Sequence, residues 1–265
     1  MTALLRYARL YRIFARNNLV RELEFRGNFW AKVVTNVAWL GLYVLLLKLV
    51  FRNTKAVAGW SEGEMFLLIG TFMFTRAWMD TLFTQNLAKI PEMIRLGTLD
   101  FVLTKPVPSQ FFVSARFVSL DEVGSLFGAF AVLGYGLWKA QLTPTFAQVA
   151  AWLFLCVCGL LIFYAVQMLL MTLSFWLVRL DNLTALADTV VFIARYPTSI
   201  FGKWLAGFFT YVLPLAFLGA VPALALKEGV RAWWLAAAVL VAAVFLAAAA
   251  AFWRCAMRSY SSASS

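Results

Sequence analysis

The sequence predicts an all-α, polytopic membrane protein with six transmembrane helices, and three observations predict it. Hydrophobic residues make up 63% of the 265-residue chain and charged residues 13%. With a mean hydropathy of +0.83, the chain has more apolar surface than a soluble core of this size hides. The apolar residues fall in runs near the ~20 residues that a helix needs to cross a hydrocarbon layer of about 30 Å. No alternating pattern suggests a closed barrel, the other way to satisfy a backbone in lipid.

The expected crossings are Trp30–Phe51, Met65–Phe83, Phe112–Leu137, Val149–Val178, Leu180–Ala194 and Trp233–Trp253. The fifth is ambiguous. Asp181, Asn182, Thr184 and Asp188 make it polar, whereas the next apolar stretch, Ile200–Leu226, is interrupted by Gly202, Gly207, Pro214 and Pro222. On hydropathy alone either stretch is the fifth span. The sixth, alanine-rich from Ala236 to Ala251, has side chains small enough for close helix contact. Tryptophans near span ends, among them Trp30, Trp138, Trp204, Trp233, Trp234 and Trp253, suit interfacial belts. Phe72, Phe74, Phe127 and Phe130 suit either a greasy path or lipid.

Basic residues set the orientation, because short loops rich in Lys and Arg stay in the cytoplasm. They cluster before the first span, between the second and third (Lys89, Arg95, Lys105, Arg116) and after the last (Arg254, Arg258). Both termini are therefore expected inside. The net charge of +11 fits this topology and anionic headgroups, and nothing predicts a nucleic-acid partner. At 100° per residue Arg6, Arg9, Arg12 and Arg16 share one side of a helix, and Leu4, Tyr7, Tyr11 and Phe14 the other. Residues 1–28 thus read as an amphipathic helix lying in the inner interface, or as a basic topogenic tail, and not as a cleavable signal.

Catalytic chemistry is not indicated. The chain has three cysteines and no histidine, and no disulfide framework or metal site is expected. Gly202-Lys203 is followed by Trp204 and lacks the upstream glycine of a phosphate-binding loop, so ATP is not expected to bind here in that way. The chain reads as no enzyme in itself, and as one domain over 1–265.

The most informative segment is Asn86 to Phe117, NLAKIPEMIRLGTLDFVLTKPVPSQFFVSARF. It is too polar to cross a bilayer and too apolar for an idle linker, so it is expected at the membrane surface facing a partner. Pro91 suits a first helical turn, and Gly97 suits a stop or bend. Within it, the run from Leu96-Gly97-Thr98-Leu99-Asp100 to Lys105-Pro106-Val107-Pro108 is followed later by Arg195-Tyr196-Pro197-Thr198-Ser199-Ile200-Phe201 and by Pro214 and Pro222. Together these resemble the six-helix permeases of type-2 ATP-binding-cassette exporters. The likeness is to the bacterial subgroup whose permease is encoded beside a separate ATPase and often a second, related permease. It runs in order over nearly the whole chain.

The resemblance implies a bacterial cytoplasmic (inner) membrane and a cytoplasmic coupling segment, 86–111, seated on the ATPase. Its positions here are Ile90, Pro91, Glu92, Met93, Ile94, Arg95, Leu96, Gly97, Asp100 and Leu103. Ile90, Met93, Ile94 and Leu96 are apolar anchors on this reading; Glu92, Arg95 and Asp100 form a polar rim. It also implies two ATPase copies carrying ATP and Mg, with no cofactor in this chain, and a second permease, related or identical. Leu180–Ala194 becomes the fifth crossing, and an external re-entrant region falls at 196–228, broken by Pro214 and Pro222.

Charges in the apolar runs mark a possible route. Arg76 and Asp80 are four apart in the second span, and Asp121 with Glu122 falls inside the third; ionisable groups at such depth face partners or water. Asp121, Glu122, Asp188 and Pro214 are the candidate path residues, suited to cationic or amphipathic cargo. The alternative is that Arg76 or Arg116 pairs with these carboxylates to hold helices together. An ion-gradient-driven carrier and a membrane scaffold are the rival functions.

Overall fold

The computed structural model describes residues 3–24, 26–119, 122–177 and 183–260. It is helical nearly throughout. Helix α1 (Ala3–Glu24) leads into α2 (Arg26–Asn53), whose Val37, Trp39 and Leu45 point away from the rest of the chain. A two-stranded hairpin follows, β1 (Ala56–Val57) and β2 (Trp60–Ser61). Its turn residues Ala58 and Gly59 have φ of 51° and 83°, the left-handed pair that a tight two-residue hairpin requires.

Helix α3 (Glu62–Met79) starts where the Ser61 amide donates to Glu64 Oε2 at 2.8 Å, half of a capping box. It widens into a π turn at Asp80–Thr84 and ends as α4 (Gln85–Leu87). Short helices α5 (Ile90–Arg95), α6 (Asp100–Leu103) and α7 (Ser109–Ala115) follow. Then come α8 (Val123–Ala140) and α9 (Phe146–Thr172), the latter with a tight turn at Leu173–Phe175. Thr145 and Gln148 cap α9 reciprocally. Beyond the next described residues lie α10 (Leu183–Phe192) and its turn Ile193–Arg195. Short pieces carry the chain on: α11 (Lys203–Gly207), a π turn at Phe208–Val212, a tight turn at Leu215–Leu218 and α12 (Ala220–Glu228). Helix α13 (Ala232–Ser259) closes the fold.

Among the described residues three helical stretches are long and apolar enough to cross a bilayer: Val34–Asn53, Phe146–Phe175 and Ala232–Ser259. Helix α3, with Glu62, Glu64 and Arg76, and the 18-residue α8 stand outside that group. These two nevertheless form the most extensive helix pair. A Cβ on Gly70 meets the Leu133 backbone nitrogen at 2.9 Å, and one on Gly136 meets that of Leu67 at 2.8 Å. Helix α9 sits at the centre, with α13, α12 and the turn Leu215–Leu218 against it. The core there includes Ile162, Met168, Phe217 and Trp253.

Contacts sort the chain into two ends. At one, Trp253 Nε1 of α13 donates to Ser109 Oγ at 3.1 Å, and its ring meets Phe175 at 5.5 Å. At the other, Ser199 Oγ donates to the Ala58 carbonyl at 2.9 Å, and Lys227 pairs with Glu64 at 3.1 Å. Burial alone raises the Glu64 carboxyl, but the Ser61 amide and Lys227 outweigh it and hold the group below its ordinary value.

The third apolar run departs from expectation. Phe112–Leu137 does not form one helix: α7 stops at Ala115 and α8 begins at Val123. Phe117 and Ser119 bond instead to the end of the preceding helical stretch. Asn86 Oδ1 accepts from the Phe117 amide at 2.7 Å, and Asn86 Nδ2 donates to the Phe117 carbonyl at 2.7 Å. The Ser119 amide donates to the Thr81 carbonyl at 2.9 Å. Glu122 stands at the position just before α8 rather than inside a continuous helix, and Asp121 lies outside the described residues. Asn86 is 2% exposed. Asn86→Leu is expected to lower stability by about 1–3 kcal/mol, because it fills the same space and strips two backbone groups of a partner; a thermal melt in detergent measures it.

Helix α1 also differs from a helix resting on lipid alone. Tyr7 packs on Phe111 at 4.9 Å and Phe14 edge-on against Phe112 at 5.8 Å. Asn18 Nδ2 donates to the Arg116 carbonyl at 3.1 Å.

Candidate functional site

Two clusters collect the expected site residues. The first is the segment from α5 to α6. Lys89 precedes α5, Pro91 lies in its first turn, and Gly97 ends it at φ 69°, a conformation that favours glycine. The Leu99 amide donates back to the Met93 carbonyl at 3.2 Å, which folds α6 beside α5. Ile90 and Leu99 are fully buried, and Val102 and Ile94 nearly so. They join the core that holds Met171, Ala249 and Trp253.

This corrects the expected division of labour. Ile90 and Ile94 are anchors into the chain's own core and are not open to a partner; Met93 is half-buried. Leu96, Phe101 and Leu103 are exposed at 59%, 70% and 44%. Glu92 and Arg95 are exposed beside them, while Pro91, Gly97 and Asp100 are intermediate. Phe101 was not singled out from sequence. Its signal was its place two residues after Leu99: the α5–α6 turn buries Leu99 and Val102 and leaves Phe101 on the opposite side.

The second cluster is ionic. Arg76 Nε donates to Asp80 Oδ2 at 2.7 Å and Arg76 Nη2 to Asp188 Oδ1 at 2.9 Å, which ties α3 to α10. Thr84 Oγ1 donates to the other Asp80 oxygen at 2.7 Å; the π turn carries both residues. The guanidinium lies over the Phe163 ring at 5.6 Å and the Phe192 ring at 6.0 Å. Its Nη1 is buried without a hydrogen-bond partner among the described residues.

The remaining path candidates do not gather here. Glu122 accepts from Ser125 Oγ at 3.2 Å, and Ser125 Oγ accepts from Asn36 Nδ2 at 3.1 Å. Pro214 is buried beside the turn that packs on α9. Of the expected arginine edge on α1, Arg9, Arg12 and Arg16 are exposed, and the Arg6 side chain lies outside the described residues. No metal-binding cluster occurs among the described residues.

A surface helical segment anchored under apolar, multi-helix architecture is where the comparisons become decisive. The family model described as ABC-2 family transporter protein matches residues 37–264. The chain belongs to the ABC-2 transporter family. As a member it is a multi-pass membrane protein with the role of an ABC transporter permease. No curated protein and no solved structure gives a significant match. The match spans all the described crossing stretches except the first residues of Val34–Asn53, and includes both clusters.

Proposed function

We propose that this ABC-2 permease is half of an ATP-driven exporter in a bacterial inner membrane, with six crossings and both termini cytoplasmic. Its path forms with a second permease, identical or related. Two copies of a separate ATPase, holding ATP and Mg, drive it through α5 and α6.

The observation that carries this reading is the two-sidedness of that segment. Leu96, Phe101 and Leu103 project outward, while Ile90, Ile94, Leu99 and Val102 lock the other side to the core shared with α9 and α13. A partner gripping the outer trio pushes on the ends of long helices, without a flexible linker between.

The contacts also support six crossings. Asp188 of α10 meets Arg76, and Ala194 lies beside Gly219 and Phe72, further along α3 toward its start. Ser199 then reaches the hairpin at Ala58, the chain returns to Gly219 by Phe72, and Lys227 rises again to Glu64. That course supports the reading of α10 as a fifth crossing followed by a re-entrant hairpin. Non-helical backbone at such depth is tolerated where protein covers it, and Leu215 to Leu218 are buried. The pairing of Asp188 with Arg76 favours a structural use of these charges over direct contact with cargo.

Purification of the tagged chain from its native membrane in mild detergent is expected to bring a cassette ATPase with it. Phe101→Asp and Leu96→Asp are each expected to weaken that association by about 2 kcal/mol or more, as buried anchors do, with the melting midpoint of the isolated permease unchanged. A chain that emerges alone, without nucleotide dependence, points instead to an ion-driven carrier or a scaffold.

A further inference from the structure

We infer that α1 is a receptor for anionic phospholipid headgroups, and that its occupancy is passed to α7 through the opposite face of the same helix. The two faces are distinct. At 100° per residue, Tyr7, Phe14 and Asn18 lie together, and these are the residues that touch Phe111, Phe112 and the Arg116 carbonyl. Arg9, Arg12 and Arg16 lie on the far side and are exposed.

Charge identifies the ligand. Residues 1–21 hold arginines at 6, 9, 12, 16 and 21 and no aspartate or glutamate. Among the described residues Arg9, Arg12 and Arg16 make no ion pair. A planar guanidinium matches phosphate oxygens in pairs. Ile13, 48% exposed, stands beside Arg9 and Arg16 on the helix, an apolar tooth for the acyl boundary below those phosphates. The helix also precedes α2, whose Val34–Asn53 stretch is long and apolar enough to cross a bilayer, so a crossing starts within about ten residues of its end. Each basic residue near an anionic surface strengthens association about fivefold, so three contribute about a hundredfold.

The consequence reaches beyond the lipid. Helix α7 lies between the exposed segment of α5 and α6 and a joint that begins with the non-helical residues 116–119. A lipid-held α1 fixes the entrance to that joint; an α1 without lipid grips it through the ring contacts of Tyr7 and Phe14 and the Asn18 hydrogen bond.

The test needs no ATPase, so its failure leaves the exporter reading untouched. The purified full-length chain is placed in nanodiscs of phosphatidylcholine with and without phosphatidylglycerol, and amide hydrogen exchange is followed. Phosphatidylglycerol is expected to slow exchange several-fold in both α1 and α7 while α13 is unchanged. The triple variant R9Q/R12Q/R16Q is expected to lose the response, and R9K/R12K/R16K to keep it in salt-sensitive form. Equal exchange in the two lipids, a response that survives in the glutamine variant, or slowing confined to α1 each overturns the inference.

Discussion

Arg76→Met is expected to destabilise the permease by about 3–5 kcal/mol, the cost of leaving a buried carboxylate without its counter-charge. Asp80 is the group left behind. Its side chain is 19% exposed and Arg76's is 20% exposed, so water relieves little of the loss, and Thr84 satisfies only one oxygen. Asp188 is 37% exposed, and screening makes its removal milder: Asp188→Asn is expected to cost about 1 kcal/mol or less. The triple change R76M/D80N/D188N removes every charge together and is expected to recover part of the stability, since no carboxylate is then left without its counter-charge. Thermal unfolding in detergent reads all three. Transport by the recovered triple variant then separates the two roles. Retained transport assigns the cluster to holding α10 against α3; lost transport with restored stability assigns a carboxylate to the cargo route.

Gly159→Ala is the second large effect. The added methyl group lands on the Phe217 carbonyl oxygen, with the carbonyl carbon at 3.2 Å and Leu218 Cα at 3.5 Å. These are backbone atoms of a buried turn and have no rotamer to yield. A loss of about 1–3 kcal/mol or more is expected from overpacking. It should be concentrated where α9 meets Leu215–Leu218, and hydrogen exchange in that turn should rise with it. Gly134 of α8 supplies the control, because nothing lies within 4 Å of its would-be Cβ. Gly134→Ala is expected to be neutral or to stabilise by up to about 1 kcal/mol through helix propensity. A Gly159→Ala variant that melts with the parent protein overturns the close approach.

What the sequence disclosed depended on how local each signal was. The crossing stretches of α2, α9 and α13 were legible because length and apolarity are properties of a single segment. Pro91 and Gly97 likewise bracketed α5 correctly, since first-turn proline and left-handed glycine are local devices. The direction of the α5 residues was not legible. Ile90 and Ile94 share one helix face, and only the packing of α9 and α13 decides whether that face is core or contact surface. The break before α8 was hidden for a similar reason: Phe112, Val113 and Val118 are as apolar as a span, and the side chain that diverts them, Asn86, is 31 residues from Phe117. The Arg76–Asp80 pair followed from a spacing of four, whereas the third member, Asp188, is 112 residues from Arg76 and was one of several possible partners.

The glycine seam between α3 and α8 has a mechanical consequence. Where Gly63, Gly70 and Gly136 bring backbone against backbone, no layer of side chains remains to shear, and the pair behaves as one stiff beam. Neighbouring helices move relative to one another most readily by sliding over interdigitated side chains, so this beam has to swing as a unit. The bending then falls on breaks between the longer helices, among them the non-helical residues 116–119 after α7 and the tight turn at Leu215–Leu218. The first meets Thr81, just past the end of α3, through the Ser119 amide, and the second leads to Gly219 beside Leu68 and Phe72 midway along α3. A load applied at the first therefore reaches the second through the beam that both touch.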